Sequence, residues 1–177
     1  MNTIDEATIA HHEAGHAALD IYFEHDLECV TVVADGDAAG GTLVDRGGDE
    51  SLRYEDEEQS QVPFERRIMS ALAGEIAQRR FNPGSVEDEH AGSDRLEVHD
   101  YLDELDCPTQ EIRDAYWRLL RLRAEHLVER LWPRVEAIAA LLVERKTISG
   151  DEARQAFAAA GPAFHLLQSF STTATTT

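Results

Sequence analysis

The sequence predicts a mostly α-helical domain that carries one small β-sheet. Apolar residues recur at helical spacing over most of the chain, and only two short β-branched segments interrupt this pattern. Helix caps and glycine or proline stops separate the segments. The 177 residues are enough for one domain with a buried core, which we expect at residues 1–168. Residues 169–177 lack periodicity and are expected to form a disordered tail.

The first part of the chain predicts a helix followed by a strand pair. Thr3 and Glu6 have the spacing of a capping box, so a helix is expected over residues 4–23. The next two segments, 29–34 (CVTVVA) and 41–44 (GTLV), are short and β-branched. An Asp-Gly-Asp turn signal lies between them, so the second segment is expected to return beside the first as a strand.

The middle of the chain predicts an acidic loop and two helices. The loop is expected over residues 45–61, where the composition is acidic and polar. Pro63 is then expected to be the first residue of a helix that ends at Phe81. After a second acidic loop, Ser93 or Asp94 is expected to cap another helix.

The longest helical pattern begins after Pro108 and carries apolar residues as far as Leu142. Pro133 lies inside this pattern and is expected to kink the helix or divide it in two. Ser149 begins a second capping-box pattern, which predicts a last helix that stops at Gly161.

The charge of the chain excludes several classes of partner. There are 35 acidic and 16 basic residues, a net charge of −19, so neither nucleic acid nor a membrane is expected as a partner. The two cysteines show no disulfide pattern and no signal peptide or membrane span is evident, so a cytoplasmic location is expected. The one lysine, Lys146, lacks the glycines of a phosphate-binding loop, so no ATPase activity is expected of this chain.

Residues 12–16 (HEAGH) match the HExxH pattern inside the first expected helix. The i, i+4 spacing places the imidazoles of His12 and His16 on one helix face, where both can bind one metal ion. Imidazole suits zinc, and Glu13 beside the pair can act as general base towards a water molecule. Chance would give roughly 0.04 such matches in a chain of this composition.

A catalytic zinc site needs a third protein ligand, and the spacing leaves its identity open. Tyr22 occupies the position at which the metzincin pattern has a histidine, so the ligand must come from a distant segment. The candidates are Glu75, Asp88, His90, Asp94 and His99.

Five blocks of the sequence resemble, in the same order, the peptidase domain of the FtsH family. Residues 8–17 (TIAHHEAGHA) are similar to the family's YHEAGHA. The other blocks are AGGT (39–42), LAGEIA (72–77), GSDRLE (92–97) and LVERKTISGDE (142–152). HExxH alone is moderately specific, whereas five ordered blocks are a strong resemblance.

The resemblance implies an FtsH-like, mostly helical zinc metallopeptidase domain. In it His12, His16 and Asp94 would bind zinc, and Glu13 would be the catalytic base. The implied activity is endopeptidase cleavage of flexible or unfolded polypeptides. Because the chain lacks the family's ATPase module, it would act without ATP, with a separate unfoldase, or as a homo-oligomer.

Two departures from the family pattern affect the site. The family's second glutamate falls on Gln78, so a carboxylate that orients a ligand is missing or is replaced by Glu75. The glycine before Asp94 is displaced, so His90 stays a rival ligand.

The segment Gly41, Thr42, Leu43 and Val44 is expected to be an edge strand beside the metal. An extended substrate would pair with its main chain there. The alternative function is a non-catalytic adaptor, a relict peptidase fold that binds proteins or an FtsH-like ring. The missing ATPase and Gln78 favour the adaptor, whereas Glu13 argues against it because a structural zinc site needs no such carboxylate.

Overall fold

A computed structural model describes residues 5–33, 41–44, 57–85 and 92–161, which form five helices and a three-stranded sheet. The helices are α1 (Glu6–Tyr22), α2 (Glu57–Phe81), α3 (Gly92–Asp103), α4 (Gln110–Arg145) and α5 (Gly150–Ala159). The strands are β1 (Leu27–Thr31), β2 (Gly41–Val44) and β3 (Thr147–Ser149). The prediction of a mostly α fold with one small sheet is therefore confirmed. No helix within these four ranges combines the length and the apolarity needed to cross a bilayer.

Helix α1 lies at the centre of the molecule. It packs against α2, α4, α5 and the strands β1 and β2. Small side chains allow this, since its fully buried residues include Ala10, Ala14, Ala17 and Ala18. The N-cap is Asp5, whose Oδ1 accepts a hydrogen bond from the Thr8 N–H at 2.8 Å. The expectation of a cap at Thr3, which lies outside the described residues, is therefore wrong.

The sheet has the strand order β2-β1-β3, and β1 pairs antiparallel with both neighbours. Thr31 lies opposite Gly41 in β2, and Val30 lies opposite Ile148 in β3. Within the described residues, the segment 41–44 is an edge strand of this sheet, as predicted. The strand β3 was not predicted, because its three residues lie directly between the end of α4 and the cap of α5.

The two prolines predicted to mark helix boundaries lie inside helices. Helix α2 begins at Glu57, six residues before Pro63, so the expectation that the acidic loop extends to residue 61 is wrong. Helix α4 is continuous through Pro133, so of the two expected outcomes, a kink or a division into two helices, the division is wrong and the kink stays a prediction. Packing explains this, because Leu131 and Val135 on either side of Pro133 are both buried. Burial of such side chains outweighs the roughly 3 kcal/mol that a proline costs within a helix.

The last helix begins as predicted. Ser149 Oγ accepts a hydrogen bond from the Glu152 N–H at 3.3 Å, and the Ser149 N–H donates to Glu152 Oε2 at 2.8 Å. This reciprocal pair is a capping box. Helix α5 ends at Ala159, two residues before Gly161.

Helices α1 and α2 cross at glycines. A Cβ atom added to Gly15 would lie 2.5 Å from the carbonyl oxygen of Ala73 and 2.7 Å from the Cβ of Ala77. Real Cβ atoms do not approach other atoms this closely, so the crossing distance requires glycine at this position. The crossing determines how closely residues 12 and 16 of α1 approach α2.

Replacement of Gly15 by alanine is expected to destabilise the protein by about 1–3 kcal/mol, because the two helices must separate. This loss exceeds the roughly 1 kcal/mol by which alanine favours a helix interior over glycine. Urea denaturation of the metal-free protein measures the change. Gly84→Ala is the control, since the nearest atom to an added Cβ is 4.0 Å away. Equal stability of Gly15→Ala and the wild type would contradict the close crossing.

Candidate metal centre

Two helices contribute three metal-binding groups to one point. His12 and His16 lie one turn apart on α1, and their Nε2 atoms are 3.1 Å apart. Asp94, in the first turn of α3, places its Oδ2 3.1 Å from Nε2 of His12 and 3.4 Å from Nε2 of His16. The structure thus brings together the two HExxH histidines and the aspartate that the family resemblance implied. Among the described residues, these three form the one group able to hold a metal ion.

Hydrogen bonds at the far side of each ring fix which nitrogen faces the cluster. Nδ1 of His16 lies 2.8 Å from the carbonyl oxygen of Ser70, which can only accept. Nδ1 of His12 lies 2.9 Å from Oε1 of Gln78, whose amide nitrogen donates to the carbonyl oxygen of Ser85. Both Nδ1 atoms therefore carry the proton in the neutral rings. Both Nε2 lone pairs consequently face the carboxylate of Asp94.

Three acceptors facing one point repel one another unless a cation lies between them. Tetrahedral zinc, with metal–nitrogen distances of 2.0–2.1 Å, separates its ligand atoms by roughly 3.3 Å. The observed separations of 3.1–3.4 Å match this value. Gly74 of α2 leaves room beside the cluster, since a Cβ there would lie only 2.8 Å from Nε2 of His12. The donor set fits a divalent metal, and the identity of zinc stays a prediction.

In the metal-free protein, a proton on His16 supplies part of the positive charge that a metal ion would bring. Burial lowers the pKa of His16, but the carboxylates of Asp94 and Glu13 and the carbonyl of Ser70 outweigh this and raise the pKa to about 10. Burial likewise raises the pKa of Asp94, and the two histidines reverse this and hold it well below its usual range. The site therefore binds positive charge even without a metal.

Glu13 lies on α1 between the two histidines. Its side chain is 6% exposed, and its charge raises the pKa of His16, which places it near the cluster.

Comparison with protein-family models and with curated proteins finds no match to this chain. The strand β2 contacts the same helix, α1. That it binds substrate stays a prediction.

The other candidate ligands lie elsewhere or outside the described residues. Glu75 is buried, but it pairs with Arg79 at 2.5 Å and with Arg121 at 3.6 Å. His99 is exposed on α3 and is not part of the cluster. Asp88 and His90 lie outside the described residues, so the prediction of His90 as a rival ligand is not settled by geometry.

Gln78 is a site residue whose role sequence reasoning missed. The sequence indicated a missing carboxylate, or its replacement by Glu75. The amide oxygen of Gln78 itself contacts His12, and Glu75 pairs with arginines instead. The available signal was its spacing, since Gln78 follows Gly74 by one helical turn and so lies on the same face of α2.

A pocket of about 370 Å³ opens beside Asp94 between α2, α3 and α4. Its walls are partly apolar and partly charged. The lining residues include Leu72, Val98, Leu102, Trp117, Glu75 and Arg121.

Metal binding is expected to release about one proton per ion at pH 8, because this pH lies well below the pKa of about 10 for His16. Titration calorimetry in two buffers of different ionisation enthalpy measures the release. The same proton stabilises the metal-free fold fully below pH 6.5, and the stabilisation is lost as the pH rises through about 10. Absence of proton release at pH 8 would contradict this description of the site.

Asp94→Ala is expected to lower zinc affinity at least a hundredfold, because it removes the only anionic donor of the cluster. His99→Ala, on the same helix and outside the cluster, is expected to bind zinc as the wild type does. Competition with a chromogenic chelator measures both constants. Unchanged zinc affinity in Asp94→Ala would show that the third donor lies elsewhere.

Proposed function

We propose that this protein is a zinc-dependent endopeptidase that hydrolyses peptide bonds in flexible or unfolded polypeptides. The observation that carries the proposal is the cluster of His12, His16 and Asp94 with the buried carboxylate of Glu13 beside it. Structural zinc sites have four protein ligands, whereas catalytic sites have three and an open position. Within the described residues, three donors converge, which is the number that a catalytic site needs.

An FtsH-like fold is part of the proposal. The five resembling blocks follow the order of the elements: HExxH lies on α1, the last two residues of AGGT open β2, and LAGEIA lies inside α2. GSDRLE opens α3, and the last block joins α4, β3 and α5. The blocks therefore lie at or beside the elements that build the cluster.

Glu13 is the proposed general base and acid. A bound zinc ion would supply Lewis-acid polarisation of water and of the substrate carbonyl. The Glu13 carboxylate accepts a proton from water as the water oxygen bonds to the carbonyl carbon. It then donates that proton to the amide nitrogen as the carbon–nitrogen bond breaks. His12, His16 and Asp94 hold their donor atoms in place throughout.

Two features support a polypeptide as the substrate. The strand β2 is an edge of the described sheet, so its outer main-chain groups can pair with an extended peptide of almost any sequence. The pocket beside Asp94 has the volume for a large side chain. Both features suit an unfolded chain, so we assign any unfolding of folded substrates to a separate ATPase.

The adaptor alternative loses one of its two supports. It drew on the absence of the family glutamate, but the Gln78 amide supplies an acceptor for His12. No observation in the described residues favours a binding role over hydrolysis.

Glu13→Gln is expected to reduce hydrolysis of an unstructured substrate such as casein by roughly 10²–10⁴-fold, because a positioned general base is lost. Zinc content should stay at the wild-type level, since Glu13 is not a member of the donor cluster. Glu6→Gln, an exposed acid on the same helix, is the matched control and should retain full activity. Hydrolysis by Glu13→Gln at the wild-type rate, or no hydrolysis by the zinc-loaded wild type, would contradict the proposed function.

A further inference from the structure

The two histidines of the cluster are held by different kinds of group. His16 donates from Nδ1 to the main-chain carbonyl of Ser70, a contact that no side-chain substitution removes. His12 donates from Nδ1 to the side-chain amide oxygen of Gln78. The orientation of His12 therefore depends on a single replaceable side chain.

The Gln78 amide is itself held in one orientation. It is 7% exposed, and its Nε2 donates to the carbonyl oxygen of Ser85 at 3.2 Å and to Ser85 Oγ at 3.3 Å. The Ser85 hydroxyl in turn donates to the carbonyl oxygen of Asn82 at 2.7 Å, so it acts as an acceptor towards Gln78. If the amide were flipped, its oxygen would face two acceptors, the carbonyl and hydroxyl oxygens of Ser85. Its N–H groups would face the Nδ1–H donor of His12. The hydrogen bonds therefore permit one orientation of the amide.

We propose that Gln78 is a positioning residue that joins the metal ligand His12 to the turn formed by residues 82–85. The proposal rests on the metal site of the proposed function. An amide has both an acceptor, which fixes the Nδ1–H tautomer of His12, and a donor, which satisfies the Ser85 carbonyl. A carboxylate offers the acceptor alone, and a thioether offers neither at useful strength.

The two sides of the amide have separate consequences. The acceptor side keeps the Nε2 lone pair of His12 directed at the metal, so it governs metal affinity. The donor side satisfies the Ser85 carbonyl in the turn after α2, so it governs the stability of the metal-free fold. Variants that remove one side or both sides can therefore separate the two effects.

The experiment compares Gln78→Glu and Gln78→Met with the wild type. Zinc dissociation constants come from chelator competition, visible absorption of the Co²⁺ form reports ligand geometry, and urea denaturation reports the stability of the metal-free protein. Gln78→Met should bind zinc 10- to 100-fold more weakly, the usual effect of losing such a partner. Gln78→Glu should bind zinc at least as tightly as the wild type. Both metal-free variants should unfold at lower urea concentration.

Glu75→Gln is the matched control. Glu75 is a buried acid three residues earlier on α2, and it contacts arginines rather than a histidine. The Glu75→Gln variant should change zinc affinity by less than about threefold. This result separates the effect of direct contact with His12 from the effect of a general change in charge.

Two results would overturn the proposal. Wild-type zinc affinity in Gln78→Met would show that the amide does not position His12. An equal loss of affinity in Gln78→Glu and Gln78→Met would show a merely structural role, since stability and affinity would then fall together. The expected loss of zinc affinity in Gln78→Met, together with no peptide hydrolysis by the zinc-loaded wild type, would contradict the proposed function alone.

Discussion

The close crossing of α1 and α2 is the constraint on which the site depends. Gly15 of α1 lies against Ala73, and Gly74 of α2 lies against both histidine rings. One face of α2 carries three groups at four-residue spacing. They are the carbonyl of Ser70, Gly74 with no side chain, and the amide of Gln78. The carbonyl and the amide orient the two rings, and the glycine leaves room between them. A larger separation of the helices would break both hydrogen bonds.

The charged side chains of the site favour the binding of one cation. Asp94 and Glu13 bring two negative charges to a region where the raised pKa of His16 lets that histidine hold a proton when no metal is bound. A third carboxylate, Glu75, lies nearby on α2, but Arg79 and Arg121 pair with it. This pairing with arginines leaves Glu75 outside the cluster of His12, His16 and Asp94.

Local features of the site could be predicted from sequence, and long-range ones could not. The approach of His12 to His16 follows from helical spacing alone. Residue chemistry left Asp94 as one of five candidates, because the packing of α3 against α2 has no local signature, and only the family resemblance selected it. The sequence left open whether Pro133 divides α4, since the outcome depends on buried contacts with other helices. The role of Gln78 was missed because it depends on the Ser85 carbonyl, whose position is set by the turn after α2.

Helix α2 therefore positions candidate metal ligands that belong to two other helices. It orients the histidines of α1 by direct hydrogen bonds, and it packs against α3, which carries Asp94. The Gln78–Ser85 contact lies where the chain leaves α2 on its way to α3. The amide of Gln78 thus joins His12 of α1 to the turn at residues 82–85. From this turn the chain continues towards Asp94 in α3. An amide suits this position because the Nδ1–H of the histidine requires an acceptor and the Ser85 carbonyl of the turn requires a donor.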